Sequence, residues 1–402
     1  MKQFYYALFT FALLFNTLWL PAQWTILDTP TEQNLVGIHF LDASTGITVG
    51  SNGTILKTID GGDTWTSVFS GGYDFIRGQL VGNVGYAISD QGTIFKSLDV
   101  GNTWVSLTFL GYALRSVLFL DESFGFVGTQ GGWIFRTING GQTWSAFDTE
   151  TSKIMRFFHF KDQDEGFVVG DGGNLLKTID GGQSWFPIDL QTSEDLFCIY
   201  FFDEDIGYIT GTGGTVFKTI NGGNDWQQIN FPVATQLRTI FFTSLEEGYT
   251  IGNDGLIFHT LNGGIDWTTN DSVTTNTLYQ VHFAADNTGF ISGANGTILR
   301  LKDMTVNTSD EIPSEIEEVQ LFPNPAGQSV RILFQNEIHN FKKVEIFNLE
   351  GRLLQQRSLG DTKSVEIELA QFSNGMYLLS LENSNGQRLT KKLVVEKGKL
   401  VP

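Results

Sequence analysis

The 402-residue sequence has little cysteine, histidine and positive charge, and each shortage excludes a class of site. Cys198 is the single cysteine, so an intrachain disulfide and a cysteine-based metal site are excluded. The five histidines are scattered without an H-x-x-x-H pair, which argues against zinc. The 25 Lys and Arg face 44 Asp and Glu, a net charge of −19 that disfavours nucleic acid and anionic membranes as partners. We therefore predict no metal and no cofactor.

Long apolar runs are also scarce, and the one present lies at the N-terminus. Lys2 precedes an apolar run from Phe4 to Leu20, which is followed by Pro21-Ala22-Gln23. This order of a positive charge, an apolar stretch and a small residue is typical of a secretory signal peptide. We predict that residues 1–22 are a signal peptide that is cleaved after Ala22. No later segment of the sequence is apolar enough to span a bilayer, so we expect no transmembrane segment after cleavage.

Glycine and aromatic residues are abundant, and they recur in a repeat. The 46 Gly, the nine Trp and an aromatic content of 13% favour an all-β chain with many tight turns. The segment from Thr58 to Trp65 returns five more times, with steps of 39 to 41 residues between its tryptophans. A period near 40 with several short strands in each unit is typical of β-propeller blades.

The last repeat is incomplete, and the N-terminus supplies what it lacks. A seventh unit begins at Leu278 but has no turn-and-Trp segment of its own. Trp24 lies 41 residues before Trp65, in a segment that matches a fourth strand. We predict an all-β, seven-bladed propeller over residues 23–303, whose N-terminal strand closes the last blade. Pairing the two termini would remove the unpaired edges of an open ring.

The repeated segment resembles the Asp-box, or BNR repeat, of bacterial sialidases, written S/T-x-D-x-G-x-T/S-W. Gly50 to Trp65 reads Gly-x-x-Gly-x-Ile-x-Lys-Thr-x-Asp-Gly-Gly-x-Thr-Trp, which also resembles the propeller of photosystem II stability and assembly factors. That resemblance implies the propeller fold. It also implies an arginine patch that serves as a partner surface.

We interpret the Asp-boxes as turn devices. A carboxylate or amide accepts hydrogen bonds from its own turn, glycine permits positive φ, and Trp packs under the hairpin. Asp225 and Asp266 stand where Thr or Ser is usual. The predicted structural box residues, with Trp24 at the closure, are Asp60, Trp65, Asp99, Trp104, Asn139, Trp144, Asp180, Trp185, Asn221, Trp226, Asn262 and Trp267.

The composition changes after Asp303. Residues 304–318 are polar and acidic and are predicted to form a linker. Residues 319–396 are predicted to form a small Ig-like β-sandwich, followed by a tail over 397–402. Five alternating strands are expected, at residues 330–334, 343–347, 364–369, 377–381 and 390–395.

This segment resembles the type A C-terminal sorting domain of the type IX secretion system in Bacteroidota. The matching segments are Leu321-Phe322-Pro323-Asn324-Pro325, Val344 to Asn348 with Gly351, Gly375-Met376-Tyr377, and Lys391 to Val395. The resemblance implies that type IX secretion machinery is a partner. It also implies passage through the periplasm and a final location that is secreted or on the outer cell surface. An ordinary Ig-like accessory module is the alternative.

One set of arginines is a candidate binding site. Counting twelve residues on from each repeat Trp reaches Arg77, Arg156 and Arg238, and Arg115 lies one residue before that position in its blade. Only 13 Lys and Arg occur in residues 23–303, so four at one equivalent position at the start of the first strand are notable. We predict that they ring the channel mouth opposite the Asp-box turns. Guanidinium groups there would attract a carboxylate, phosphate or sulfate.

Other residues extend or compete with this interpretation. Tyr279 and Trp133 are further candidate contributors, and Trp133 could stack on a sugar or pack inside its blade. In the structural alternative, Asp90, Asp171 and Asp254 pair with the arginines and brace them. His39, His159 and His282 share one equivalent first-strand position and are expected to lie too far apart to share a metal, and Cys198 is expected in the core. The candidate positions rest on the repeat register alone.

Three functions compete. The leading prediction is a secreted or surface-attached, non-catalytic and monomeric propeller that binds a protein or an acidic glycan. The second is a sialidase-like glycoside hydrolase, in which Tyr279 would be the nucleophile and Glu194 its candidate partner. The third is an assembly chaperone for surface proteins. No catalytic residue is predicted under the leading interpretation.

Overall fold

The computed structural model describes residues 24–269, 272–285 and 288–301, and much of the C-terminal region. There it describes residues 319–395 except 323–328, 335–340, 349–351, 361–363, 374 and 384–387. The predicted signal peptide (1–22), linker (304–318) and tail (397–402) lie outside the described residues, as does Pro323-Asn324-Pro325. The chain divides into two compact units, Met1–Thr305 and Val306–Pro402. Among the described residues, no helix has the length and apolar character needed to cross a membrane.

The first unit consists of seven four-stranded antiparallel sheets, the blades. Blade 1 contains β2 (Leu35–Phe40), β3 (Gly46–Gly50), β4 (Thr54–Thr58) and β5 (Thr66–Phe69). Blade 2 contains β6 (Phe75–Val81), β7 (Val84–Ser89), β8 (Thr93–Ser97) and β9 (Val105–Phe109). Blade 3 contains β10 (Leu114–Phe119), β11 (Gly125–Thr129), β12 (Trp133–Thr137) and β13 (Ser145–Asp148).

The next three blades repeat this order of strands. Blade 4 contains β14 (Met155–Phe160), β15 (Gly166–Gly170), β16 (Asn174–Thr178) and β17 (Phe186–Pro187). Blade 5 contains β18 (Leu196–Phe201), β19 (Gly207–Gly211), β20 (Val216–Thr219) and β21 (Gln227–Ile229), with a 3-10 turn at Thr212–Gly214. Blade 6 contains β22 (Leu237–Phe242), β23 (Gly248–Gly252), β24 (Ile257–Thr260) and β25 (Thr268–Thr269), with a 3-10 turn at Asn253–Gly255.

Blade 7 is assembled from both ends of the unit, as predicted. Its inner strands are β26 (Leu278–Phe283), β27 (Gly289–Gly293) and β28 (Ile298–Leu301), and its outer strand is β1 (Trp24–Leu27). Trp24 pairs with Leu301 at the start of this antiparallel ladder. Its ring is 3% exposed and packs edge-on against Tyr249 of blade 6 and Phe283 of blade 7, at 5.8 and 6.3 Å. The prediction that the N-terminal strand closes the ring is confirmed.

The blade cores follow from the sequence of the second strand. In most blades this strand begins and ends with glycine and is buried throughout, as in β15. In every blade except blade 2, where it is Val81, the last residue of the first strand is a Phe whose ring lies against the first glycine of the second strand. In blade 4, a Cβ added at Gly166 would lie 2.5 Å from the Phe160 ring. A larger residue there would displace that ring, so the glycine is required by packing.

Each Asp-box is a turn closed by its own side chains. In blade 1, Asp60 Oδ1 accepts hydrogen bonds from the Thr58 hydroxyl and the Thr64 N–H, at 2.8 and 2.9 Å. Asp60 Oδ2 accepts from the Thr64 hydroxyl at 2.6 Å. Gly61 and Gly62 have φ of +69° and +83°, which glycine adopts without strain. These bonds, led by the Thr64 hydroxyl, lower the pKa of Asp60 to about 2.

The boxes that carry Asn keep the same turn geometry, but the Asn side chain donates the hydrogen bond that the Asp side chain accepts from the residue four positions later. Asn221 Oδ1 accepts from the Asp225 N–H at 3.0 Å, and Asn221 Nδ2 donates to Asp225 Oδ2 at 2.9 Å. Asn262 and Asp266 form the same pair in blade 6. An amide offers a donor that a carboxylate lacks, so an acidic partner can stand four residues later. This accounts for the two aspartates at the usual Thr or Ser position.

A cation from the third strand of one blade reaches the Asp-box of the next blade. We call this contact a clasp. It occurs at six of the seven blade junctions. The clasps are Lys57 to Asn102 Oδ1 (2.9 Å), Lys96 to the Gly140 carbonyl (2.9 Å), Arg136 to the Gly181 carbonyl (2.6 Å), Lys177 to Asn224 Oδ1 (3.3 Å), Lys218 to the Gly263 carbonyl (2.8 Å) and Arg300 to Asp63 (2.5 Å). At the equivalent position of blade 6, His259 instead contacts Glu247 of its own blade at 3.0 Å.

The second unit has two antiparallel sheets. The first contains β29 (Val319–Phe322), β30 (Ser329–Phe334) and β33 (Ser364–Glu368). The second contains, in spatial order, β32 (Leu353–Ser358), β31 (Phe341–Phe347), β34 (Gly375–Asn383) and β35 (Arg388–Val395). Residues of both sheets, among them Ile332 and Leu379, belong to one buried cluster. The five predicted strands are present, while β29 and β32 were not predicted.

Candidate functional site

The seven first strands share a bulge close to their start. In each strand the pairing register shifts so that the second residue is left without a partner on the neighbouring strand. Such bulges redirect a side chain and are common beside functional sites. The bulge residues are Val36, Ile76, Arg115, Arg156, Phe197, Arg238 and Tyr279.

This register corrects one part of the sequence prediction. Three blades, not four, place arginine at the equivalent position, because Ile76 occupies it in blade 2 and Arg77 follows it. From the repeat Trp to the bulge residue, the chain is one residue shorter on entering blades 2 and 3 than on entering the other blades. A fixed count of twelve from that Trp therefore reaches one residue too far in these two blades.

All four arginines nevertheless converge. A cavity of about 120 Å³ lies at the channel mouth, and Arg77, Arg115, Arg156 and Arg238 line it together with Tyr279. Val36, Ile76 and Phe197 complete its wall. We call this cavity the mouth. Trp133 is not among its lining residues and packs partly buried in blade 3, with its ring 5.9 Å from Tyr112.

Three of the arginines are held by the residue fifteen positions later, in the turn between the second and third strands. Arg115 donates to Gln130 Oε1 at 2.7 Å, and Arg238 donates to Asn253 Oδ1 at 3.4 Å. Arg156 forms an ion pair with Asp171. The sequence interpretation missed Gln130 and Asn253, although the constant spacing of fifteen was available as a signal.

The bracing alternative holds in part: Asp171 forms an ion pair with Arg156, and the charges of Asp90 and Asp171 both act to raise the pKa of Arg115. Asp171 neutralises Arg156, whereas the partners of Arg115 and Arg238 are uncharged amides. Asp254 takes no part in these bonds, since the preceding Asn253 holds Arg238. The mouth thus holds Arg115 and Arg238 through neutral amides, while carboxylates near Arg115 and Arg156 offset part of its positive charge.

Aromatic rings support the same groups. The Arg156 guanidinium lies 4.7 Å from the centre of the Phe197 ring, and that of Arg238 lies 5.1 Å from the Tyr279 ring. Burial is the main cause that lowers the pKa of Arg115 and of Arg238, and the neighbouring Arg156 lowers both further. Like charges held close together in a concave site favour a bound anion.

Arg77 differs from the other three. Its guanidinium lies 4.5 Å from the Phe157 ring, and its Nη1 is buried without a hydrogen-bond partner. Burial lowers the pKa of Arg77 to about 10, so the group stays charged at neutral pH. Arg77 also lines a second, larger cavity of about 370 Å³, which we call the inner chamber.

The histidine prediction was wrong for one pair. The rings of His39 and His282 are 4.8 Å apart, because blades 1 and 7 are neighbours in the closed ring. His159 lies elsewhere, against Tyr200 at 6.0 Å. Within the described parts of the chain, no three His, Cys, Asp or Glu come close enough to hold a metal ion. Cys198 is buried in β18 and borders the inner chamber, and burial raises the pKa of its thiol to about 11.

Of the residues named for the hydrolase alternative, the structure places only some in the described lining of the mouth. Tyr279 lines it, but Glu194 does not, and the Thr212 hydroxyl donates to that carboxylate instead. No carboxylate belongs to the described lining of the mouth.

Comparison with known proteins covers both units. The family model described as photosynthesis system II assembly factor YCF48 matches residues 18–157 and 183–272, which is more than half of the chain. The model described as a secretion system C-terminal sorting domain matches residues 320–396. The search of curated proteins gave no significant match.

Solved structures show the same propeller fold. The structure of YCF48 bound to D1 peptide is 24% identical, with a TM-score of 0.61 over 69% of this chain and 96% of that chain. YCF48 from Cyanidioschyzon merolae is 22% identical, with a TM-score of 0.62 over 70% and 99%. The WD40 propeller domain of Doa1 is 10% identical, with a TM-score of 0.58 over 70% and 96%.

The two family matches fix the broad class of the protein. The sorting domain indicates secretion by the type IX system to the cell surface. The box repeats, the ring closure and the propeller match describe one architecture. This chain belongs to the family of the photosynthesis system II assembly factor YCF48, and it carries a secretion system C-terminal sorting domain.

Proposed function

We propose that the propeller is a non-catalytic binding module that holds an acidic segment of another exported protein at its mouth. The observation that carries this proposal is the convergence of four arginines on one cavity in a chain with a net charge of −19. A chain so acidic would repel an acidic partner everywhere else, so the mouth is a local exception. Charge contrast of this kind directs a partner to one site.

The way the arginines are held supports recognition of carboxylates. Gln130 and Asn253 fix Arg115 and Arg238 through neutral amide oxygens. Each guanidinium keeps its charge and further N–H groups for a ligand. Arginine presents a planar fork that binds a carboxylate with two parallel hydrogen bonds. An extended peptide with acidic side chains fits this chemistry.

A protein ligand is also supported by the comparisons. One solved structure of the family is that of YCF48 bound to D1 peptide, so a propeller of this architecture holds a peptide. The same resemblance favours a role in assembling or retaining a surface protein. Catalysis is not part of the proposal, because no carboxylate belongs to the described lining of the mouth.

The test removes the mouth charges and measures peptide binding. Fluorescence anisotropy with a labelled hexaglutamate peptide would compare the full chain with the triple variant Arg115→Gln, Arg156→Gln, Arg238→Gln. We expect at least tenfold weaker binding in the variant, about 1.4 kcal/mol. The affinity of the unmodified chain should also fall as salt concentration rises.

A matched control removes three positive charges from the second unit, by Arg331→Gln, Arg352→Gln and Arg357→Gln. All three side chains lie at exposed positions there. This variant has the same net charge as the mouth variant, and its peptide affinity should stay within twofold of the unmodified chain. Equal losses in the two variants would show that overall charge, and not the mouth, governs binding.

A further inference from the structure

The inner chamber is lined by one cationic side chain, the partly buried Arg77, and by no carboxylate among the described lining residues. The chamber has a volume of about 370 Å³ and is bordered by first strands of blades around the ring. A water molecule occupies about 30 Å³ of liquid volume, so the space exceeds what one or two waters fill. Its polar lining includes His39, Arg77, Gln79, His159, Gln280 and His282.

Arg77 is the one charged side chain of the described lining. No Asp or Glu belongs to that lining. Burial lowers the pKa of His159 and of His282 to about 4, and it lowers the pKa of His39 well below its usual value, so these rings are neutral at pH 7. They therefore add no charge to the chamber.

The environment of Arg77 does not replace a counterion. The Phe157 ring lies against its guanidinium, and the nearby Cys198 thiol stays protonated at neutral pH because burial raises its pKa. Its buried Nη1 has no hydrogen-bond partner. A buried N–H donor of a charged group that lacks a partner is costly, and an anion that accepts from it removes that cost. Arginine cannot avoid this cost by losing its proton at neutral pH.

We propose that the inner chamber is a binding site for a single carboxylate, which pairs with the guanidinium of Arg77. The unpartnered Nη1 is the donor that such a ligand would satisfy, and the planar fork suits a carboxylate. The carboxylate belongs either to a free small acid or to the end of a peptide chain that enters past Arg77, which lines both cavities. This site is distinct from the charges of Arg115, Arg156 and Arg238 at the mouth, and only its peptide-end form rests on the function proposed for the mouth.

Acetate is the probe for the shared chemistry. Isothermal titration of the full chain with sodium acetate, in a buffer whose anion is a bulky sulfonate, should give saturable binding with one site per chain. The variant Arg77→Met, which keeps much of the side-chain volume without the charge, should bind acetate at least tenfold more weakly. Circular dichroism and the unfolding temperature would show whether the variant folds. If it does not, Arg77→Lys is measured instead and is expected to bind acetate with reduced affinity.

Two controls separate this site from other arginines. Arg136 is also partly buried and lies 4.9 Å from an aromatic ring, that of Phe124, but it donates to the Gly181 carbonyl. The variant Arg136→Met should therefore retain acetate binding. The triple mouth variant should retain it as well while losing the hexaglutamate peptide, so failure at one site is distinguishable from failure at the other.

Amidation of the peptide identifies the source of the carboxylate. If the end of a peptide occupies the chamber, amidation of the hexaglutamate C-terminus weakens the affinity of the unmodified chain for this peptide. The affinity of Arg77→Met for the peptide should not change on amidation. If a free acid occupies it, amidation has no effect and acetate does not compete with the peptide. The proposal is overturned if acetate binds the unmodified chain and Arg77→Met equally, or if neither shows saturable binding.

Discussion

Blade 7 and the other six blades are held in the ring by different means. Blades 1 to 6 each carry an Asp-box, and a cation from the preceding blade contacts that box in every case. Blade 7 has no box. It is joined instead by β1, whose Trp24 packs between blades 6 and 7.

The comparison shows that the repeated box does two jobs. It closes its own turn, and it presents a carbonyl or amide oxygen to the neighbouring blade. Where the box is missing, His259 contacts Glu247 within blade 6. The 6–7 junction thus relies on aromatic packing where the other junctions add a charged hydrogen bond.

The largest expected effect is at the closure. Trp24→Ala removes a buried ring that touches Tyr249 and Phe283, and large buried aromatics cost about 3–5 kcal/mol when truncated. We expect a clear fall in the denaturant midpoint, with the amides of β28 the first to exchange hydrogen. Ile26→Thr is the control, because Ile26 lies in the same strand but is 57% exposed. An unchanged midpoint for Trp24→Ala would mean that β1 does not hold the ring.

The next effect comes from making a boxed junction resemble the 6–7 junction. Lys218→Met removes the clasp to the Gly263 carbonyl and keeps the side-chain stem. Loss of a hydrogen bond from a charged donor should lower the free energy of unfolding by about 1–3 kcal/mol. Urea denaturation would measure it against Lys153→Met, an exposed lysine expected to change stability by about 0.5 kcal/mol or less. If both variants are equally stable, the clasps do not strengthen their junctions.

The smallest effect concerns the box itself. Asp60→Ala removes three hydrogen bonds of an exposed turn and should cost about 1 kcal/mol. Asp60→Asn should be nearly neutral, within about 0.5 kcal/mol, because Asn139 makes the equivalent bonds with Thr143 in blade 3. A loss as large for Asn as for Ala would show that the box requires a carboxylate.

Lowering the pH tests the same difference between a carboxylate and an amide in the box, because acid protonates Asp60 but leaves Asn unchanged. The pKa of Asp60 is lowered to about 2 in the folded chain, below the ordinary value of about 3.9. The carboxylate therefore stabilises the fold above pH 4, and this contribution disappears as the pH falls through 2. Between pH 4 and pH 2 the unmodified chain should lose slightly more stability than Asp60→Asn, measured by thermal unfolding across that range.

The sequence predicted the features that depend on repeated local patterns. The spacing of 41 residues between Trp24 and Trp65 was sufficient to predict the closure, because the repeat Trp stands at or directly before the start of the fourth strand in every blade. The extra strand β32 was missed because it is almost wholly exposed and lacks the alternation of a half-buried strand. Edge strands of this kind are held by backbone pairing, which leaves little pattern in the sequence.

The candidate site was predictable in outline but not in register. Four arginines were placed at the mouth, yet a connection one residue shorter moved Arg77 by one residue along its strand and into the lining of both cavities. Likewise, the neighbourhood of His39 and His282 depends on blades at opposite ends of the sequence. Contacts between residues so far apart in sequence follow from closure of the ring, and no local sequence pattern predicts them.

The closure also sets the order in which the chain can mature. Thr25 and Arg300, which pair in the last blade, are 275 residues apart in sequence. Contacts of such long range form late and slow folding. Until β28 is complete at residue 301, β1 has no strand to pair with and the ring stays open, and free edges of this kind invite aggregation. The propeller thus becomes a finished ring only when the segment just before the sorting domain has emerged, which couples completion of the fold to the arrival of the export signal.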